Sequence, residues 1–350
     1  MSLPVTLLSL ATASPPHVLH QAEALAIGRD LLGARFADFE RMTAVYANAG
    51  VEHRQLARPA EWYRHAHEFP ERTEAYLEVA GELFVAAAER ALADAGLSGA
   101  KVDTTVTVSS TGIATPSLEA RVMERMGFRG AMSRVPVFGL GCAGGVSGLA
   151  LAARLARSEP GSIVLFVTVE LCSLTLRTRE VNKADIISTA LFGDGAAACV
   201  LRCGDEGFAQ ITGSAETTWP GTLDIMGWRM EPDGLGVVLN RAIPAFAQRH
   251  MRAAMVAMLA RQALAIEDID RFICHPGGAK VIDAIEQALA LGQGALAEER
   301  EVLRCHGNMS APTALFVLDH VRRRALPPRA ALVALGPGFT ASTLTLSAAA

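Results

Sequence analysis

Two stretches of this chain share one layout, and that repetition limits the folds open to it. In the first, a helical pattern leads to VDTTVTVSSTG, a connection, GCAGGVSGLALAARLA and then SIVLFVTVE. In the second, a helical pattern leads to IDRFICHPGG, a connection, GNMSAPTALFVLDHV and then AALVALGPG. Asp103 and Cys142 lie 39 residues apart, and Asp270 and Asn308 lie 38 apart. Like units at near-equal spacing point to a duplicated α/β architecture, with residues 1–205 and 206–350 as two similar halves packed together. Cys142 and Asn308 then stand at equivalent helix starts. His275 takes the strand end equivalent to Ser110–Thr111. A junction of strand ends and helix starts forms a natural crevice for a site.

Short continuous apolar runs read as strands buried on both faces, the mark of a parallel sheet. Val102–Val108, Val135–Leu140, Ile163–Val169, Ala196–Leu201, Phe272–Cys274 and Ala331–Leu335 fit that pattern. The N-terminal VTLLSLATA reads as a further core strand. Helical patterns lie between them: AYLEVAGELFVAAAERALADAG, stopped by Gly96, AIPAFAQRHMRAAMVAMLARQAL with Pro244 in its first turn, Lys280–Leu291 and Pro312–Arg324. Strands alternating with helices predict an α/β fold.

Composition excludes several classes of function. Hydrophobic residues make up 51% of the 350 and charged residues 19%, which suits large buried layers and opposes disorder. The net charge of −4 without a basic block argues against nucleic acid as a partner. No apolar run is long enough for a membrane span, and the N-terminus lacks the basic start of an export signal. The six cysteines show neither zinc spacing nor a disulfide framework, so a reduced, cytoplasmic setting is expected.

Cys142 lies in GLGCAGGVSGLALAARLA, where a strand gives way to a small-residue helix. A helix N-terminus favours thiolate through its dipole and free N–H groups, so Cys142 reads as a nucleophile; a small buried core residue fits the same window. His275 in FICHPGGAK sits at a strand end beside a turn of little bulk. It is either a locally satisfied turn residue or the partner of a thiolate and donor to a thioester oxygen. Asn308 in CHGNMSAP is an ordinary helix cap or an amide donor to a developing enolate, and neighbouring His306 rivals His275. His65 and His67 have the spacing of a strand-borne metal pair but no third ligand, so no metal is expected.

Together these stretches resemble the type III polyketide synthases, the chalcone and stilbene synthase-like branch of the thiolase fold. The resemblance covers nearly the whole chain and rests on SSTGIATPS, GLGCAGGVSGL, VELCSLTLR, LFGDGAAA, CHPGGAKVI, GNMSAP and LGPGFT in the family's order. It implies a duplicated, layered αβαβα fold and a catalytic triad of Cys142, His275 and Asn308. It makes Phe192 a gatekeeper and Val237 the counterpart of a second gatekeeper phenylalanine. Thr111, Glu170, Cys172, Thr175, Ser188 and Ser310 match cavity positions, and Leu335 stands where an aromatic residue often does. The phosphates of coenzyme A need basic residues near a tunnel mouth, and Arg41 and Arg54 are candidates, with ordinary surface or structural arginines as the alternative; Gly277 is a further candidate coenzyme A contact.

The implied reaction is iterative decarboxylative condensation of malonyl-CoA onto an acyl-CoA starter carried by Cys142. It needs CoA thioesters as substrates and no separate cofactor. Val237 in place of an aromatic opens the cavity. The overall pattern looks closest to bacterial alkylpyrone and alkylresorcinol synthases, which implies a medium- or long-chain fatty acyl starter. Malonyl or aromatic starters are the alternative within the family. The nearest rival is a single-condensation ketoacyl-carrier-protein synthase of the initiating type; a silent thiolase-fold binding subunit is a rival from another class. The resemblance also implies a homodimer, with Thr115 of the TGIATPS loop reaching the partner's cavity.

Overall fold

A computed structural model describes residues 4–177, 179, 181–231 and 234–349. Nine strands form one sheet: β1 (Val5–Ala13), β2 (Thr104–Val108), β3 (Ser133–Val137), β4 (Val164–Leu171), β5 (Asp194–Cys203), β6 (Ala209–Thr218), β7 (Arg271–Cys274), β8 (Arg329–Gly336) and β9 (Thr340–Ala348). Their order across the sheet is β7-β8-β9-β6-β1-β5-β4-β2-β3. Apart from the edge strand β3, which has no counterpart, the order is symmetric about the antiparallel β6–β1 pair. Moving outward from β1, the pairings with β5, β4 and β2 run antiparallel, antiparallel, parallel. Moving outward from β6, those with β9, β8 and β7 run the same way. This is the duplication that the spacing of the two repeats predicts.

Seven helices matter for the site: α1 (Phe69–Asp94), α2 (Gly144–Ser158), α3 (Lys183–Leu191), α4 (Ile243–Ala260), α5 (Ala279–Leu289), α6 (Ala297–His306) and α7 (Thr313–Arg324). Helix α2 packs on α7, on β2 and β4 of the first half, and on β8 and β9 of the second. Strands so far apart in one sheet can meet one helix only if the sheet folds around it. Val146 and Leu149 of α2 and Leu315 and Leu318 of α7 lie in that inner core with Val106 and Leu332. Their burial clamps the starts of α2 and α7 together at the centre of the molecule. Among the described residues no helix is long and apolar enough to cross a membrane.

Several sequence expectations need correction. Val135–Leu140 is not a buried strand. β3 spans Ser133–Val137 at the open edge of the sheet with no fully buried side chain, and Phe138 beyond it is 55% exposed. Val135 and Val137 pack against the inner core only in part; a continuous apolar run does not by itself report burial on both faces. The Ala196–Leu201 strand is antiparallel to both neighbours rather than parallel. Burial on both faces produced its apolar run, and burial is blind to strand direction. Helix α1 starts earlier than its periodicity suggests, because Pro70 favours the first turn and Glu71 accepts the Glu68 N–H at 3.2 Å.

Candidate active site

Cys142 sits in a single tight turn, Gly141–Ala143, immediately before α2. The Ser110 hydroxyl, just past the end of β2, accepts the N–H groups of Gly139 and Gly141 at 3.3 and 3.1 Å and so holds this turn. Gly141 has φ +48°, and a Cβ there would lie 2.7 Å from Pro337. A Cβ on Gly145 would lie 2.2 Å from the Ala311 carbonyl oxygen. The start of α2 is thus seated directly against the segment that leads into α7, which carries Asn308.

His275 follows the last residue of β7. Its N–H donates to Val333 of β8 at 2.8 Å, which extends the parallel ladder by one bond. The Gly277 N–H closes back on the His275 carbonyl at 3.0 Å, and the turn delivers the chain into α5. The His275 side chain is buried, and neither ring nitrogen has a protein partner. An imidazole kept out of water with both nitrogens unused is available to a substrate.

Asn308 lies between α6 and α7. Its N–H donates to Leu191 and its carbonyl accepts from Gly193, so its backbone pairs with the Phe192 segment. Its Oδ1 accepts the Ser310 N–H at 2.8 Å, and its Nδ2 donates to Gly277 at 3.4 Å. Thr313, rather than Asn308, secures the start of α7: its hydroxyl accepts from Met309 and donates to Ser310. Both Asn308 and Ser310 also place hydrogen-bonding side-chain groups at the Cys142 sulfur.

Burial dominates the electrostatics. It pushes the Cys142 thiol up to about 11, assisted by the charge of Glu170, against the lowering effect of Ser310 and Asn308. It pushes the His275 imidazole down to about 4. Burial thus opposes a lone thiolate at the start of α2, and a charged partner is needed beside it. Glu170, at the end of β4, is raised to about 7 by burial although its Oε2 accepts from the Ser110 N–H and the Thr111 hydroxyl.

A cavity of about 470 Å³ opens beside these groups. Cys142, His275, Asn308, Ser310, Gly277, Cys172, Phe192 and Val237 all line it, as do Leu335 and Arg41. Met226, Trp228 and Val237–Leu239, from a hairpin of Met226–Glu231 with Gly234–Leu239, supply an apolar wall. Asp233, in the motif that carries Val237, lies outside the described residues. The exposed cations Arg41, Arg241 and Lys280 stand on the lining, and Arg41 also pairs with Asp38 at 3.0 Å. Arg241 and Lys280 escape a sequence reading focused on the triad. A lysine two residues beyond the HPGG turn is the one signal that could have drawn attention to the second.

Other sequence candidates fall elsewhere. Thr111 and Thr175 line a separate small pocket, and Ser188 lines a second cavity behind Phe192 and Cys172. Thr111 is committed to the Glu170 carboxylate and the Leu171 N–H, and Glu170 is buried and does not line the catalytic cavity. Arg54 cannot meet a phosphate at a tunnel mouth: it is 1% exposed and bonded to the Thr189 carbonyl and Gln21. Its place in a buried network is invisible in the local string. His67 stacks on Trp62 with 3.7 Å between ring centroids, and its ring nitrogens face the Trp62 carbonyl and Glu71. His306 bonds Gln55 at 2.7 Å instead of lining the main cavity.

Residues 58–205 match the family "Chalcone and stilbene synthases, N-terminal domain", and residues 210–349 match its C-terminal counterpart. The chain belongs to the chalcone and stilbene synthase family. It is a type III polyketide synthase, an enzyme of the acyltransferase type. The two family segments meet in the turn between β5 and β6. A "1,3,6,8-tetrahydroxynaphthalene synthase" of Streptomyces peucetius subsp. caesius is 39% identical, over 96% of this chain and 91% of its own. The "Alpha-pyrone synthesis polyketide synthase-like Pks18" of Mycobacterium tuberculosis (strain CDC 1551 / Oshkosh) is 28% identical, over 95% and 88% respectively. The solved 1,3,6,8-tetrahydroxynaphthalene synthase of Streptomyces coelicolor A3(2), a bacterial type III polyketide synthase, superposes with a TM-score of 0.93. That match covers 99% of both chains at 26% identity.

Proposed function

We infer that this synthase loads a fatty acyl group from CoA onto Cys142, extends it with malonyl-CoA and releases alkyl α-pyrones or alkylresorcinols. One observation carries the reading: Cys142, His275 and Asn308, far apart in the chain, line one cavity whose far wall is apolar. That wall suits an alkyl chain. The exposed Arg41, Arg241 and Lys280 supply cations for the phosphates of coenzyme A.

Proton transfer from Cys142 to the unpartnered His275 gives a thiolate that attacks the starter thioester. The carbon–sulfur bond to coenzyme A breaks, and the leaving thiolate takes the proton back from His275. Malonyl-CoA then loses carbon dioxide. The electron pair of the carbon–carbon bond to the departing carboxylate becomes an enolate, and His275 and the Asn308 Nδ2 group hold its oxygen. The enolate carbon attacks the acyl-Cys142 carbonyl, the carbon–sulfur bond breaks, and the thiolate is regenerated. Phe192 offers an apolar face near the malonyl carboxylate, and an apolar face favours loss of its charge. The sequence of steps is redox-neutral and runs on CoA thioesters alone. The enzyme works as a homodimer, with the loop at Thr115 contacting the partner. Its six unpaired cysteines suit a reducing cytoplasm.

A second reading has its own support in the 39% identical relative, whose name specifies a tetrahydroxynaphthalene product. Under it, malonyl-CoA serves as both starter and extender. Incubation with malonyl-CoA and a graded panel of acyl-CoAs, followed by mass spectrometry of products, separates the two. Alkylated pyrones or resorcinols from octanoyl-CoA and longer esters are expected. Turnover of malonyl-CoA alone, with no incorporation of any fatty acyl group, would establish the second reading in place of the first.

A further inference from the structure

The two halves of the molecule fill equivalent spaces differently. Eight residues after Cys142 stands Ala150 of α2, and eight after Asn308 stands Phe316 of α7. The Phe316 ring is buried, lies edge-on to His306 with 5.0 Å between centroids, and approaches to 3.4 Å of where a Cβ on Gly195 would be. Ala150 carries no ring. Beside it lies a cavity of about 220 Å³ that shares no lining residue with the catalytic cavity. It has the volume of about seven waters.

The strands explain why this space is open to solvent. β1 pairs with β6 only over Ala209–Ile211, so among the described residues β6 runs on to Thr218 with no strand on that side. In each half an arginine covers the freed edge. Arg90 donates to the Thr12 carbonyl at 3.2 Å, and Arg261 donates to the Glu216 carbonyl at 2.6 Å.

The lining is polar in a specific pattern. Ser147 and Ser342, both buried, bond each other at 2.8 Å, and Ser342 donates onward to the Glu216 carboxylate at 3.3 Å. The exposed Arg154 and Arg261 complete it, and neither pairs with a carboxylate among the described residues. Two guanidiniums against one carboxylate leave an excess of positive charge. Guanidiniums are matched to planar or tetrahedral oxyanions.

We propose that this cavity binds a small organic anion, a carboxylate or phosphate monoester that also carries a hydroxyl group. Arg154 and Arg261 hold the acidic group, and Glu216 with the Ser147–Ser342 pair takes the hydroxyl. Ser147 stands five residues after Cys142, so the occupant braces the helix that Cys142 introduces against β6 and β9 of the second half. The site does not depend on which starter the enzyme takes.

The test titrates the full-length enzyme with inorganic phosphate, glycerol phosphate and citrate, by calorimetry and by thermal melts. Glycerol phosphate and citrate separate a phosphate ligand from a carboxylate one, and inorganic phosphate reads the acidic group alone. At least one of the two organic anions is expected to bind more tightly than inorganic phosphate and to raise the melting temperature. Ala150→Phe supplies the ring that the first half has, and Arg154→Gln removes one cation. Each is expected to weaken that binding by about tenfold or more. Lys280→Gln, on the lining of the catalytic cavity, should leave it unchanged. If Ala150→Phe does not fold, the exposed Arg154 still decides the matter. Binding that survives Arg154→Gln, or no binding of any of the three anions, overturns the site. Loss of binding in Lys280→Gln instead would overturn it by placing the anion on the cations of the catalytic cavity.

Discussion

The Asn308 side chain donates from Nδ2 to the Gly277 carbonyl at 3.4 Å. This bond ties the residue that precedes α7 to the turn that follows His275. Two members of the site thereby hold each other in place, and the Oδ1 bond from Ser310 fixes which end of the amide faces Gly277. Asn308→Ala removes the donor to the enolate together with the bond to Gly277, while the backbone bonds of His275 to Val333 and of Gly277 to His275 remain. Acylation of Cys142 should persist, while condensation should fall by roughly 100- to 1000-fold, the usual cost of one oxyanion donor. Rapid-quench measurement of acyl-enzyme and product tests this; equal losses in both steps would contradict it.

Burial opposes a lone charge on either Cys142 or His275. Moving the proton from sulfur to imidazole creates both charges together, and their attraction offsets the desolvation of each. Reactivity of Cys142 should therefore depend on His275. In His275→Gln the pH midpoint of iodoacetamide alkylation should move up toward about 11, the position of the buried thiol alone. The rate at pH 7 should drop at least about tenfold, since one pKa unit is a factor of ten in thiolate. An unchanged alkylation profile would show that the imidazole does not hold the proton.

Glu170 has its carboxyl raised from 4.5 to about 7, chiefly by burial. A raised folded-state value means that the native state binds the proton more tightly than the unfolded chain. The contribution is fully present below about pH 4.5 and is lost as pH rises through about 7. Glu170→Gln removes this dependence. Thermal melts between pH 4.5 and 8 should show the variant gaining on the wild type as pH rises, by on the order of 3 kcal/mol across the window. Asp194 carries a similar shift in both proteins and cancels in the comparison.

Gly145→Ala places a methyl group 2.2 Å from the Ala311 backbone oxygen, where no side-chain rotation can make room. It should cost about 1–3 kcal/mol of stability and lower activity by spreading the starts of α2 and α7. Gly130→Ala, with nothing within 4 Å of the new Cβ, serves as the control and should melt near the wild-type temperature.

Val237 forms part of the apolar wall of the catalytic cavity. Val237→Phe should favour shorter starters or fewer extensions, with a loss of about tenfold in kcat/KM for tetradecanoyl-CoA relative to hexanoyl-CoA. Product lengths by mass spectrometry decide the matter, and an unaltered product set would remove Val237 as a determinant.

The meeting of Cys142, His275 and Asn308 at one cavity and the duplication were legible because each leaves a local mark that recurs. Helix starts, strand ends and glycine turns are written in neighbouring residues, and the two copies appear at nearly the same spacing. The strand Val135–Leu140 was misread because an apolar run looks the same in a buried strand and at a sheet edge. Arg54 was misread because a cation among polar neighbours gives no hint that Thr189 and Gln21 enclose it. Thr111 and Glu170 were correctly paired in space with the site but wrongly set on the cavity surface. Which side of a wall a residue faces depends on elements distant in sequence.

By itself the sequence carried the duplicated α/β architecture and the family resemblance, and through that resemblance it named Cys142, His275 and Asn308 as candidates, since these follow from periodicity and short motifs. Only the tertiary structure decided that the thiol and imidazole are each held neutral by burial, that Asn308 is locked to Gly277, and that a polar cavity lies beside Ala150. Burial and cavity shape are sums over segments brought together by folding, and no local stretch of chain contains them.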